Sequence, residues 1–443
     1  SVPARNIWLL LVRVLFYAWG EPSFTAMMLA SVGLNYLCGV LVASDNPSRA
    51  RWAMIAAVVG NLALLAFFKY ANFFAANLGI ELKPIHLPLG ISFFTFHALS
   101  YVIDVQRGKT PPQRSPFKLT LYLFFFPQLI AGPIVRYRDL QSQLDHRGIL
   151  PRFFAHGVQL FVLGLAKKVL VANTVSGPAD AIFGLSAAQL SPALAWFGLA
   201  CYAIQIYFDF SGYSDMALGL ARMFGFFLPE NFNHPYAADS VRQFWRRWHI
   251  SLSTWFRDYL FIPLGGSRGS SVRTAFNLVT VFLLCGLWHG AAWTFVAWGV
   301  FHGVFLALER TWFGRWMDTR PRLIRHLYAL LVVGFGWVFF RASSMGHAMA
   351  YFSAMLGLSS GAEAMKLGRH ATPDVLAMLA VGVLFSFPVG PALAARWEGI
   401  TLNDRWWITV VRTLGTAVVL FLFIASAASL AAGTYNPFIY FRF

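Results

Sequence analysis

The sequence predicts an all-α, polytopic integral membrane protein with about ten or eleven transmembrane or re-entrant helices. Three observations predict it. Of its 443 residues, 58% are hydrophobic, 17% aromatic and only 12% charged, where ordinary soluble chains carry roughly a quarter charged residues. Mean hydropathy is +0.59. Apolar stretches of spanning length recur from end to end, separated by short loops and uninterrupted by any soluble domain, so that residues 1–443 read as one transmembrane domain.

The apolar stretches centre near residues 12, 32, 62, 95, 126, 165, 205, 282, 332, 380 and 420. The chain begins on Ser1 with basic Arg5 directly before the first of them, and a further leading segment is expected. The run at 119–135 lies between two basic loops, one with Arg107, Lys109, Arg114 and Lys118, the other with Arg136, Arg138, Arg147 and Arg152. Positive loops collect on the cytoplasmic side, so a run flanked by two of them fits a re-entrant hairpin. Pro127 and Pro133 also allow a kinked span.

Net charge is +17. No nucleic-acid-binding motif accompanies it, and the Lys and Arg residues sit in loops between spans, so the first reading is membrane topology. An anionic, phosphate-bearing substrate remains compatible. Cys38, Cys201 and Cys285 are scattered and in apolar context; they form neither a disulfide framework nor a metal-ligand spacing.

Residues 239–262 predict an amphipathic interfacial helix. Ser240 followed by Gln243 has the capping-box spacing of a helix start. Arg242, Arg246, His249, Ser253 and Arg257 then recur on one face, with Phe244, Trp245, Trp248, Leu252, Trp255 and Phe256 filling the remainder. A basic stripe on an aromatic body suits the lipid headgroup boundary. The functional reading is that His249 is an orienting or second catalytic histidine and the arginines sharing its face grip phosphates; the plainer one is contact with lipid headgroups.

Residues 274–308 contain no Lys, Arg, Asp or Glu. That is long for one span and short for two with a loop. A tilted helix, or two short helices broken near Gly286 and Gly290, would fit. His289 falls in the middle, in Gly286-Leu287-Trp288-His289-Gly290. Hydrocarbon does not solvate an ionisable ring, and broken helices are tolerated at depth only where protein or a cavity surrounds them. His289 is therefore a candidate general base or transient acyl acceptor beside an internal chamber. The alternative is a structural histidine bonded to carbonyls freed by the break. His302 and Glu309 share a helix face nearby and are a further candidate pair, or a packing pair.

Asp209 and Asp215, in Tyr207-Phe208-Asp209-Phe210-Ser211-Gly212-Tyr213-Ser214-Asp215, stand at the end of an apolar span that starts near Trp196. Buried carboxylates need partners, and pairing with Arg222, Arg242, Arg246 or Arg247 is the expectation. Gly265-Gly266-Ser267-Arg268-Gly269 matches the text of a nucleophile elbow but lacks its strand–turn–helix setting.

Taken together, the 207–215 run, Glu230-Asn231-Phe232, Phe244-Trp245-Arg246-Arg247-Trp248-His249, Arg257-Asp258-Tyr259-Leu260 and 286–290 resemble the membrane-bound O-acyltransferases. The similarity is to the bacterial branch that contains alginate O-acetyltransferase and the D-alanyl transfer protein of teichoic acid modification. Lys69-Tyr70-Ala71-Asn72-Phe73, the segments 88–93 and 127–133, and the terminal 438–443 resemble the same branch. The resemblance implies a many-helix bundle around a central tunnel, His289 as the catalytic histidine and His249 as a second motif histidine. Trp245, Trp248, Trp288, Gly290, Arg246, Arg247, Asp209 and Asp215 would shape the site or hold the donor. It implies acetyl transfer at the bacterial inner membrane from acetyl-CoA or another thioester, with no permanently bound cofactor. The acceptor side would involve a periplasmic acetyl-transfer protein and an exported polysaccharide. D-alanyl or peptidoglycan O-acyl transfer is the alternative within the enzymes, and transport of an acylated lipid or glycan the alternative outside them.

Overall fold

A computed structural model describes residues 2–129, 132–359, 365–393 and 405–433. It is all-helical, with no strand among the described residues. Among the described residues, seven helices are long and apolar enough to cross a membrane, and many large apolar side chains stand exposed along them. In water such a surface would be an aggregation liability; facing lipid it needs no cover. The chain is a multi-pass membrane protein.

Two compact units are distinguished, residues 1–158 with 217–230, and residues 159–216 with 231–443. In the first, α1 (Val2–Gly20), α2 (Pro22–Leu41) and α3 (Pro47–Asn77) are joined by short turns. Pro22 and Pro47 open α2 and α3 at the position where a missing N–H costs nothing, and Asn46 caps α3 by accepting from Ser48 N and Arg49 N. Helices α2 and α3 pack on α4 (Ile91–Gln106), which is buried on nearly every side. The 119–135 run is not a kinked continuous span. It breaks into α5 (Pro116–Leu123), a single turn at Phe126–Leu129 and extended chain, and leads into α6 (Tyr137–Asp145). An eight-residue helix rises about 12 Å, well short of the ~30 Å hydrocarbon core. Leu119, Leu121, Tyr122, Leu123 and Phe124 are all buried, and the Arg13 guanidinium donates to the Leu121 carbonyl at 2.9 Å. The irregular backbone is thus enclosed by protein.

In the second unit lie most of α7 (Pro151–Phe183) and α8 (Pro192–Met223). Helix α8 is the better enclosed of the long helices: 72% of its most apolar window is buried, against 6% for Trp406–Ala431, which presents itself to lipid. A π-turn at Lys167–Ala172 interrupts α7. The segment predicted as one interfacial helix over 239–262 is instead two, α9 (Val241–Arg247) and α10 (Ile250–Phe256), the latter running into a π-turn at Arg257–Phe261. Its aromatic body packs against protein: Phe244, Trp245, Trp248, Leu252, Trp255 and Phe256 are buried. The helix start is as expected, with Ser240 Oγ accepting from Gln243 N, although Gln243 Oε1 takes Asp239 N rather than Ser240 N. The 274–308 stretch forms a hairpin of two short helices, α11 (Ser271–His289) and α12 (Trp293–Leu308). Next come α13 (Trp312–Asp318), α14 (Arg322–Arg341), α15 (Met345–Met355), α16 (Pro373–Phe385) and α17 (Arg405–Ala431). The terminal 438–443 segment lies outside the described residues.

Candidate active site

Glycines let α11 and α12 approach until backbone meets backbone. A methyl group on Gly286 would run into the Phe295 carbonyl, and one on Gly299 into that of Phe282. This contact fixes where α11 ends. His289 is its last residue, and Gly290 follows in extended conformation (φ −162°), closed against the Phe295 ring. The backbone therefore leaves the helix at the histidine, which points among rings rather than into lipid. His289 is 7% exposed. Trp288, Trp298 and Phe340 meet its imidazole edge-to-face, with centroids 4.9, 5.1 and 5.1 Å away.

His249 occupies the break between α9 and α10. It adopts φ +42°, ψ +56°; His234 and His249 are the only non-glycine residues with positive φ among those described. A left-handed non-glycine residue costs on the order of 1–3 kcal/mol and persists where its surroundings over-determine it. Asn231 supplies that constraint. Its backbone carbonyl accepts from Ile250 N (2.9 Å). Its side-chain Oδ1 accepts from Ser251 N (3.2 Å) and Ser251 Oγ (2.8 Å) and contacts His249 Nδ1 at 3.1 Å. Its Nδ2 donates to Ser214 Oγ at 3.2 Å. Phe210 meets the His249 ring at 4.7 Å and Phe232 stacks at 6.4 Å. Burial pushes the His249 imidazole down to about 3, so the ring is neutral.

One aromatic cluster joins the two histidines. From His249 the ring contacts run through Trp288 (6.5 Å) to His289, on to Phe340, then Trp337 (5.6 Å) and Trp248 (4.9 Å), the neighbour of His249 in sequence. Trp245 packs on Trp298 and Phe282 and donates its indole N–H to His302 Nδ1 at 3.4 Å. His302 is thereby engaged as a packing residue. Glu309 is engaged as a cap: its carboxylate accepts from Val241 N (2.6 Å) and Arg242 N (3.0 Å) at the start of α9. Desolvation raises the Glu309 carboxyl above its usual range.

Asp209 and Asp215 do not end a span; α8 continues through both to Met223. They are paired as expected, but with lysines of the π-turn in α7 instead of the arginines. Asp209 contacts Lys168 Nζ at 2.7 Å and Asp215 contacts Lys167 Nζ at 2.6 Å. On α9, Arg246 is exposed. Arg247 is half-buried, and its guanidinium donates to the His234 carbonyl at 3.5 Å. Arg242 and Arg246 together repel the Arg310 guanidinium, which lies at the end of α12; desolvation and that repulsion lower Arg310. The cationic group facing outward is thus Arg242, Arg246 and Arg310, and Arg247 turns back into the fold. Sequence reasoning missed Asn231, Trp298, Trp337 and Phe340. Their only advance signal was Asn231's place in the Glu230-Asn231-Phe232 run.

Chemically, the cluster offers two imidazoles, that of His249 neutral, inside aromatic walls that exclude water. Such a site favours acyl transfer to a bound hydroxyl over hydrolysis.

The profile of MBOAT, the membrane-bound O-acyltransferase family, matches residues 113–349, which contain all these site residues. The protein named "Probable alginate O-acetylase AlgI" in Azotobacter vinelandii is 40% identical, over 99% of this chain and 95% of its own length. A "Peptidoglycan O-acetyltransferase" of Helicobacter pylori is 35% identical over 83% of this chain and 76% of its own. The "Teichoic acid D-alanyltransferase" of Bacillus subtilis is 29% identical over 53% of this chain and 63% of its own. With its site geometry, its helical membrane architecture and these similarities over nearly its whole length, the chain belongs to the membrane-bound O-acyltransferase family and is an O-acyltransferase.

Proposed function

We propose that the protein transfers an acetyl group from a cytosolic thioester, acetyl-CoA, across the inner membrane toward an exported polysaccharide, by way of a periplasmic acetyl-transfer protein. The observation that carries this is the placement of His289, buried at the broken α11–α12 hairpin inside an aromatic box. The alginate O-acetylase relatives, similar along almost the full chain, support acetyl as the group and a polysaccharide as the destination. In this reading His289 takes the proton of the attacking hydroxyl as its oxygen bonds to the thioester carbonyl carbon. The C–S bond then breaks and the leaving thiolate takes that proton back from the imidazolium. Arg246, with Arg242 and Arg310, would meet donor phosphates in this reading, supported by their outward exposure. His249, held neutral by burial, assists as a second base.

A second reading has a specific basis. The similarity to a peptidoglycan O-acetyltransferase over 83% of the chain supports peptidoglycan as the acceptor. Transport of an acylated glycan loses its motivating pair, because His302 and Glu309 are engaged in holding α9. The test is mild-base-released ester on isolated surface polymers from cells with the wild type and with His289→Ala. Loss of acetate ester in the mutant supports the proposal. Full retention removes His289 from catalysis, and the polymer that carries the ester decides between the acceptors.

A further inference from the structure

The reading of His249 as a site histidine leaves open which of its two nitrogens faces the chemistry. Backbone geometry settles the hydrogen-bond directions. The Ser251 N–H is a donor only, and it points at the Asn231 side chain at 3.2 Å. The atom receiving it must be the amide oxygen, so the amide cannot be flipped. The same oxygen accepts Ser251 Oγ–H at 2.8 Å and stands 3.1 Å from His249 Nδ1. Ser251 Oγ also stands 3.4 Å from Nδ1, but its one hydrogen goes to Asn231 Oδ1 at the shorter 2.8 Å; a carbonyl oxygen cannot donate, so Nδ1 carries the hydrogen. The Asn231 amide is itself held, its Nδ2 donating to Ser214 Oγ on α8.

We infer that Asn231 is a positioning residue for acyl transfer, fixing His249 in the left-handed break and in the Nδ1–H tautomer so that Nε2 presents a lone pair. The inference rests on His249 belonging to the site. A neutral ring of that tautomer accepts a proton or hydrogen bond at Nε2 and cannot donate one there. His249 is therefore a base or an acceptor toward a hydroxyl or thiol hydrogen, and it is not an oxyanion donor. Asn231 also does what an N-cap side chain does, but from 18 residues upstream. Helix α10 has no capping side chain of its own, and its first two free N–H groups, Ile250 and Ser251, are both taken by Asn231. One residue thus fixes the helix start, the strained backbone and the tautomer together.

Ionisable groups on the elements packed around His249 include Asp209 and Asp215 of α8, engaged by Lys168 and Lys167 of α7, His234 of the segment that carries Phe232, Arg247 of α9 and His289 of α11. The Asn231 contact itself carries no charge, so a carboxylate placed there has a defined effect: it favours the imidazolium and raises the point at which His249 titrates.

The test combines two readouts on the full-length protein in membranes. Nitrogen-15 NMR of labelled histidine, with the signal assigned by its loss in His249→Gln, reports the tautomer and the titration. Mild-base-released ester on surface polymers, normalised to protein abundance, reports function. The inference expects the Nδ1–H tautomer in the wild type. In Asn231→Ala it expects loss of the single tautomer and at least a tenfold fall in ester. Asn231→Asp keeps an acceptor for all three donors, so it should retain the Nδ1–H tautomer and titrate at higher pH than the wild type. That variant serves if the alanine protein does not accumulate. An Nε2–H tautomer in the wild type, an unmoved titration in Asn231→Asp, or unchanged ester in Asn231→Ala overturns the inference. Full ester in His249→Gln overturns instead the assignment of His249 to the site. Loss there with full ester in Asn231→Ala removes only the role of Asn231.

Discussion

Gly299 lies in α12, along the hairpin from the corner that carries His289, and replacing it by alanine separates the geometry of the site from its chemistry. The added methyl would collide with the Phe282 carbonyl oxygen and stand 3.0 Å from its carbonyl carbon and 3.2 Å from Leu283 Cα. Backbone atoms cannot swing aside as a side chain can. Restoring contact at about 3.5–4 Å requires α11 and α12 to part by on the order of 1 Å. Trp298, the neighbour of Gly299, packs on the His289 imidazole with centroids 5.1 Å apart, so it moves with α12 while His289 stays on α11. A misplacement of that size costs about 10²-fold in rate, and overpacking costs about 1–3 kcal/mol of stability. Gly415→Ala in α17 is the control. Its methyl meets nothing within 4 Å, and removing an interior helical glycine gains up to about 1 kcal/mol. The assay is base-released ester per unit of membrane protein, alongside the apparent Tm in detergent. Ester within about twofold of wild type in Gly299→Ala, with an unchanged Tm, would show that the site does not depend on this close approach.

Four further outcomes follow from the same geometry. Asp209→Asn leaves the Lys168 ammonium, with only a tenth of its side chain exposed, facing a neutral amide; breaking a buried pair on one side costs about 3–5 kcal/mol, and the Tm should fall sharply. Lys168→Met combined with Asp209→Leu should recover most of that loss in the same melting experiment. Glu309→Ala removes the acceptor of two backbone N–H groups at the start of α9; a buried unsatisfied donor costs about 1–3 kcal/mol, seen as a lower Tm and as proteolysis near Ser240. Arg246→Ala should raise the donor KM with kcat little changed, whereas Arg247→Ala should lower stability more than donor affinity. Equal donor affinity in wild type and Arg246→Ala would remove the phosphate-gripping role.

Long-range order was legible where composition alone dictates it. The charge-free stretch and its two glycines left a tilted helix and a broken pair as the two fits, and the α11–α12 hairpin is the second of them. The capping pair Ser240 and Gln243 announced the start of α9 from local hydrogen bonding. What failed were features decided by tertiary contacts. Helical periodicity from 239 to 262 runs unbroken through His249, since nothing in the local sequence signals a left-handed residue there; the break is imposed by Asn231. The aromatic stripe read as lipid-facing because burial by protein and immersion in hydrocarbon select the same residues. Asp209 and Asp215 needed cationic partners, yet proximity in sequence suggested arginines, and folding brought Lys167 and Lys168 instead. Asn231, Trp298, Trp337 and Phe340 are ordinary residues by type, and only their convergence on two histidines marks them.

The most direct test of the central claim is ester content on isolated surface polymers. Cells carrying the wild type, a deletion and His289→Ala are compared at matched membrane abundance of the protein. Ester released by mild base is expected to fall to the deletion level in His289→Ala, with the mutant protein folded and present. Ester lost in the deletion but kept in His289→Ala would make His289 a packing residue and place the transfer chemistry elsewhere.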